Sequence, residues 1–167
     1  MDLTSLMKNY EPIDEPGGVE EETYRWVTFT LGNEIYGVDV MKVQEVQRMT
    51  DIAPVPGAPP FVLGIFNLRG TVVTVLDAEM RFGLAPRPVS ETTRIMIIEV
   101  DDSVVGVKVD AVSDVAEVPV SKIHASPTVN AQVDQRYIDA VAHHDDALII
   151  IVNTDKLLRA DEPGDLF

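Results

Sequence analysis

Few residues in this chain of 167 have the types and spacing that chemistry needs. Its three histidines are His124, His143 and His144, and the last two open the run His143-His144-Asp145-Asp146. Such a run suggests a metal centre. On an extended strand, however, adjacent side chains leave on opposite faces, so His143 and His144 make poor co-ligands. No i,i+4 histidine pair or thiolate spacing adds to them. Asp101-Asp102, and Asp110 with Asp114, have the look of carboxylate pairs for acid–base or cation work, but their ordinary role is turn chemistry and solvated edges. Ser113 and Ser121 have no recognisable histidine–acid support. Gly-x-Ser-x-Gly and the glycine-rich phosphate loops are absent. The expectation is no catalytic residue, no metal and no cofactor. A metal-dependent hydrolase built on His143, His144 and the nearby aspartates is the enzymatic alternative.

Two charges ask for more explanation. Arg69 stands at the turn of Gly64-Ile-Phe-Asn-Leu-Arg-Gly-Thr-Val-Val-Thr-Val-Leu-Asp77, an otherwise apolar hairpin. A charge beside apolar surface is costly unless it is paired. Glu45, between Val43 and Val46, poses the same problem with the opposite sign. We therefore expect a Glu45–Arg69 pair on the first half of the molecule, near a groove. Its role would be orientation and specificity, because partly exposed pairs add little stability.

The elements that must hold these residues are strands. Hydrophobic residues make up 46% of the chain, enough for a core, and they are mostly Val, Ile, Leu and Ala. Tyr24–Leu31 alternates with period two, Gly32-Asn33 is a two-residue hairpin signal, and Glu34–Val40 returns. Val43–Met49 follows a one-turn break near Met41-Lys42; a helix over Val38–Val46 is the alternative that β-branched density argues against. Four prolines make Ile52–Pro60 irregular. The Arg69 hairpin comes next, Phe61–Leu68 and Thr71–Leu76. A helical turn Ala78–Phe82 is stopped by Gly83, and Leu84–Glu91 is a Pro-containing linker. The pattern then restarts with strands Thr93–Val100, Ser103–Val109 and Val112–Val118. A polar loop Pro119–Arg136, a hairpin Tyr137–Ala142 with Ala147–Asn153, and a short helix Asp155–Arg159 capped by Thr154 complete it.

This is an internal repeat. Gly37-Val38-x-Val40-x-x-Val43-x-x-Val46 recurs as Gly106-Val107-x-Val109-x-x-Val112-x-x-Val115, and Thr71–Asp77 aligns with Ala147–Asn153. Five short strands per half suit a small closed barrel, and two halves this small call for an apolar seam between them. The expected fold is all-β: two tandem five-stranded SH3-like barrels with short helical turns and a short C-terminal helix. Barrel 1 covers about residues 23–86 and barrel 2 about 92–153, within a domain of 23–160 whose helix is 154–160. Residues 1–22, with Pro12, Pro16 and Glu20-Glu21-Glu22, read as a disordered acidic tail, and 161–167 as a loose one. A docking turn of Leu3, Leu6 and Met7 is the alternative for the first.

A formal net charge of −15 and a pI near 4.4 disfavour nucleic acid and anionic lipid surfaces. No apolar run is long enough to span a bilayer, the first ten residues do not form a secretory signal, and cysteine is absent. A cytoplasmic protein is expected, without direct membrane insertion.

Four blocks together resemble CheW, the chemotaxis coupling family: Phe29–Val46, Gly64-Ile-Phe-Asn-Leu-Arg-Gly70, Val104–Val115 and Ile149–Leu158, in order across about residues 24–160. The resemblance implies two SH3-like barrels and no catalysis. It implies an adaptor that joins the cytoplasmic tips of chemoreceptors, the methyl-accepting receptors, to the regulatory domain of the histidine kinase CheA. Recruitment to receptor arrays at the membrane and possible self-association in array rings are further implications. The family's acidic site residue falls on Glu45 and its Asn-Leu-Arg-Gly motif on Asn67, Leu68, Arg69 and Gly70. The receptor groove falls on Val40, Val43 and Val46, with Val112 and Val115 from the second barrel. Departures are Thr74 where proline is frequent, Asp77-Ala78-Glu79 where an Asp-Leu-Arg-like turn is frequent, and Ala140 where glycine is usual. A CheW-like scaffold of a non-flagellar motility or other two-component pathway is the alternative within the family.

Overall fold

A computed structural model describes residues 21–125 and 135–159. The tails expected at 1–22 and 161–167, the last residue of the expected helix 154–160, and the middle of the Pro119–Arg136 loop lie largely or wholly outside the described residues. The strands are β1 (Thr23–Leu31), β2 (Glu34–Asp39), β3 (Val43–Arg48), β4 (Val62–Leu68) and β5 (Thr71–Asp77), then β6 (Arg94–Val100), β7 (Ser103–Val109), β8 (Ala111–Pro119), β9 (Ile123–His124), β10 (Ile138–His144) and β11 (Ala147–Val152). Two short helices, α1 (Ala78–Arg81) and α2 (Thr154–Leu158), close the hairpins β4–β5 and β10–β11.

Local chemistry explains the breaks. Gly32 takes φ +63 at the first turn. The break before β3 is a 3-10 turn over Val40–Lys42, capped by Asp39, whose carboxylate accepts from the Met41 amide at 2.9 Å. Asp77 accepts from the Met80 amide at 3.1 Å to start α1, and Gly83, at φ +82, ends that turn. The second helix is capped by Asn153, which accepts from the Lys156 amide at 3.0 Å. Thr154, expected as the cap, is the first helical residue. Asn153 is the repeat counterpart of Asp77, and its side-chain oxygen reaches the amide three residues on in the same way.

The strands form two SH3-like barrels. One sheet runs β3-β6-β7-β5-β4, and the other β8-β1-β2-β11-β10-β9. Each barrel takes two strands from one repeat and three or more from the other. The division expected at about residues 86 and 92 is therefore corrected: the opening hairpin of each repeat pairs with the later strands of its partner. Parallel pairs β2–β11 and β5–β7 join the two contributions. The second sheet has six strands, because the loop expected at Pro119–Arg136 contains β9, paired with β10 through Val141↔His124. In the first sheet the same place holds the single bridge Ala53↔Ile65, where the prolines that follow permit no longer pairing.

The apolar runs bury both faces. On β6, Ile95 and Ile97 fill the first barrel with Val73, Val75 and Phe66, while Met96 and Ile98 face the opposite way. On β11, Ile149 and Ile151 fill the second barrel and Ile150 and Val152 face outward from it. The outward sets meet in one seam with Phe29, Tyr36, Phe82 and Tyr137, whose rings follow one another at centroid distances of 5.6, 5.2 and 6.0 Å. The apolar seam expected between the halves is thus present, and it is the largest core of the molecule. Arg81 spans it: its guanidinium lies over Phe61 at 4.4 Å and over Tyr137 at 5.1 Å, while Nε donates to the Leu157 carbonyl at 2.8 Å.

Candidate partner-binding site

Two irregularities aim Glu45 and Arg69 at each other. In the pairing of β3 with β6 the register shifts between Val43↔Ile98 and Glu45↔Ile97, a bulge at Gln44. A bulge re-aims the side chains beside it. Between β4 and β5, Leu68 pairs with Thr71, leaving Arg69-Gly70 as a two-residue turn at φ +49 and +90. Asn67 supports it by accepting from the Gly70 amide at 2.8 Å. Hairpins β6–β7 and β10–β11 turn with Asp101-Asp102 and Asp145-Asp146, also at positive φ. Aspartate tolerates that conformation, whereas arginine there is strained.

From this turn the Arg69 guanidinium forks onto the carboxylate. One terminal nitrogen contacts Oε2, and the other donates to Oε1 at 3.2 Å. Gln47, two residues along β3 on the same face, donates to Glu45 Oε1 at 2.7 Å. These donors hold the Glu45 carboxyl below the usual carboxylate range, the Arg69 hydrogen bond being the larger cause, and Glu45 raises the Arg69 pKa in return. The Arg69 side chain is 69% exposed and that of Glu45 16% exposed, so the pair is fixed in place yet open to solvent on one side. A shallow pocket beside it adds Gln44, Leu68, Thr71, Val72 and Val104. Val72 is 63% exposed, and Met41, just before β3, is 81% exposed.

The expected valine groove is not assembled as a surface. Val40, Val43 and Val46 are 5%, 2% and 0% exposed and belong to the seam core. Val112 and Val115 are partly buried against that same core, on β8 beside β1. The turn before β3 and the bulge at Gln44 let all three valines face inward although they lie three residues apart, and leave Met41, Gln44 and Glu45 between them at or near the surface. Gln47 was legible as a same-face neighbour of Glu45; Met41 and Val72 carried no signal beyond being apolar.

His143 meets His124 of β9, ring centroids 5.6 Å apart, and His144 lies 3.3 Å from Asp145; these residues line one shallow depression with Lys122 and Asp146. Among the described residues, no group of three or more His, Cys, Asp or Glu is placed to hold a metal ion.

A family model for the CheW-like domain matches residues 25–162. The chemotaxis protein CheW of Treponema pallidum is 31% identical over 88% of this chain and 89% of its own length, and that of Klebsiella aerogenes is 31% identical over 82% of each. The protein FrzA of Myxococcus xanthus is 28% identical over 78% of this chain and 82% of its own length. In fold, the crystal structure of the scaffolding protein TtCheW from Thermoanaerobacter tengcongensis superposes with a TM-score of 0.77 at 34% identity, covering 84% of this chain and 95% of that one. No described helix is long and apolar enough to cross a membrane.

Proposed function

This chain belongs to the CheW-like family of non-catalytic chemotaxis adaptors, and from that premise we propose that it couples chemoreceptor tips to the histidine kinase CheA. The observation that carries the reading is the Glu45–Arg69 fork. An arginine kept in a strained left-handed turn, beside a bulge and an exposed apolar patch, is better suited to recognition than to holding a barrel together. A helical receptor tip fits the mode in which an apolar stripe docks and flanking charges set its register. The kinase's regulatory domain docks on another face, and multivalency in the membrane array supplies avidity to two modest interfaces.

Pull-down with a receptor cytoplasmic fragment and with the CheA regulatory domain, followed by kinase reconstitution, tests this. Both fragments are expected to be retained by the parent chain, and Glu45→Lys or Arg69→Ala should weaken one of them by on the order of tenfold. Retention of neither fragment by the parent would overturn the function. Retention unaffected by either substitution would overturn the site.

A further inference from the structure

The linker between the repeats is pinned at one residue. Arg87 donates its backbone amide to Glu79 Oε1 at 3.1 Å, and its backbone carbonyl accepts from Lys108 Nζ at 3.1 Å. Its guanidinium Nε lies 3.6 Å from Glu79 Oε2 and 3.8 Å from Asp110 Oδ2. Three residues earlier, the Leu84 amide donates to the Glu79 carbonyl at 2.8 Å. Glu79 is only 4% exposed, on a helix of four residues.

We infer that Glu79, Asp110 and Arg87 form a proton-operated clasp that fastens the linker over the Gly32 turn. Asp110 Oδ2 already accepts from the Gly32 amide at 2.7 Å, and a β-carbon at Gly32 would stand 2.9 Å from the Arg87 guanidinium. Linker, first hairpin and β7 therefore meet at one carboxylate pair. With Glu79 protonated, its hydroxyl donates to the Asp110 carboxylate, and one negative charge faces one guanidinium. With Glu79 ionised, two carboxylates face the same guanidinium, which is itself half in solvent.

The Arg87 amide bond favours the ionised form, but it is outweighed, and the remaining groups facing Glu79 do not help. Asp77 of β5 is engaged with Lys108 of β7 at 3.4 Å. Glu34 of β2 adds a further negative charge near the Tyr36 hydroxyl, which is buried with no hydrogen-bond partner among the described residues and pushed up to about 12 by that burial, with Glu34 and Glu79 as lesser causes. Burial raises Glu79 to about 7, followed by its hydrogen bond with Asp110. Lifting Leu84 to Arg87 away lets water reach the ionised carboxylate, so the clasp loosens as pH rises through neutrality.

Hydrogen exchange of the intact chain tests it. Protection factors of the Leu84 and Arg87 amides, corrected for intrinsic rates, should fall by on the order of tenfold between about pH 6 and about pH 8. In Glu79→Gln, whose amide donates to Asp110 at every pH, they should stay level. Equal profiles in parent and variant would overturn the clasp. Should the variant fail to fold, the carboxyl carbon of Glu79 in the labelled parent decides: a midpoint near 7 supports the clasp, and one in the ordinary glutamate range overturns it.

Discussion

Gly64 and Ala140 hold the same place in the two repeats, and only one of the two places accepts a β-carbon. Each follows a register shift near the start of its hairpin, between Val62 and Gly64 in one and Ile138 and Ala140 in the other. Gly64 takes φ +147, and a β-carbon there would lie 2.1 Å from the Ala53 carbonyl oxygen. That carbonyl crosses so closely because Ala53 and Ile65 exchange two hydrogen bonds of 2.9 Å. Ala140 lies outside the positive-φ region. Gly64→Ala should therefore cost about 3 kcal/mol, from overpacking and a disallowed backbone, while Ala140→Gly should cost about 1 kcal/mol or less. Urea midpoints of the two variants measure the difference.

The repeat that makes this comparison possible was legible in the sequence, and so were nearly all strands, the turn break at Met41-Lys42 and the Glu45–Arg69 pairing. The exchange of strands between barrels was not. A repeat states which positions are equivalent, and swapping partners between two equivalent halves leaves every hydrophobic pattern unchanged. The misassignment of Val40, Val43 and Val46 has a related cause. β3 and the turn before it bury one side in a seam whose position depends on that exchange, so a periodic valine run reads alike for core and for groove. β9 escaped notice because two residues, Ile123-His124, are too short to show a period.

Arg69 should separate stability from function. Arg69→Asn creates Asn-Gly, the preferred pair for a two-residue turn in which both φ angles are positive. The variant is expected to unfold at higher urea than the parent while losing partner retention. A variant that gains stability and still binds as the parent does would make the arginine incidental.

The same pair should give an acid limit to binding. Glu45's carboxyl is held below its ordinary value by Arg69 and Gln47. Its contribution is therefore complete above the unfolded-state value of 4.5 and is lost as pH falls through the lower folded value. Partner retention should hold at neutral pH and fall only below the usual carboxylate range. Gln47→Leu should move that loss toward higher pH in a titration of binding against pH.

Glu79 acts in the opposite direction on global stability. Its folded value, about 7, lies above the unfolded 4.5, so the folded state holds more protons in that window. Stability should decline as pH rises from about 4.5 to about 7, by at most about 3 kcal/mol from this group. Glu79→Gln should flatten that slope in urea denaturation run across the window.

Asp77 and Asn153 open α1 and α2 by the same capping bond, but Asp77 brings a charge into a site 2% exposed and needs Lys108, itself 7% exposed, to meet it. Removing the cation alone leaves a buried carboxylate with only its cap, so Lys108→Met should cost about 3–5 kcal/mol. The second barrel shows that a neutral amide suffices for the turn. Asp77→Asn with Lys108→Met should therefore recover most of the loss, leaving chiefly the bond from Lys108 to the Arg87 carbonyl unreplaced. Denaturation of the parent, both single variants and the double variant yields the coupling. A double variant no more stable than Lys108→Met alone would mean that the aspartate serves the turn through something other than its cap and its lysine.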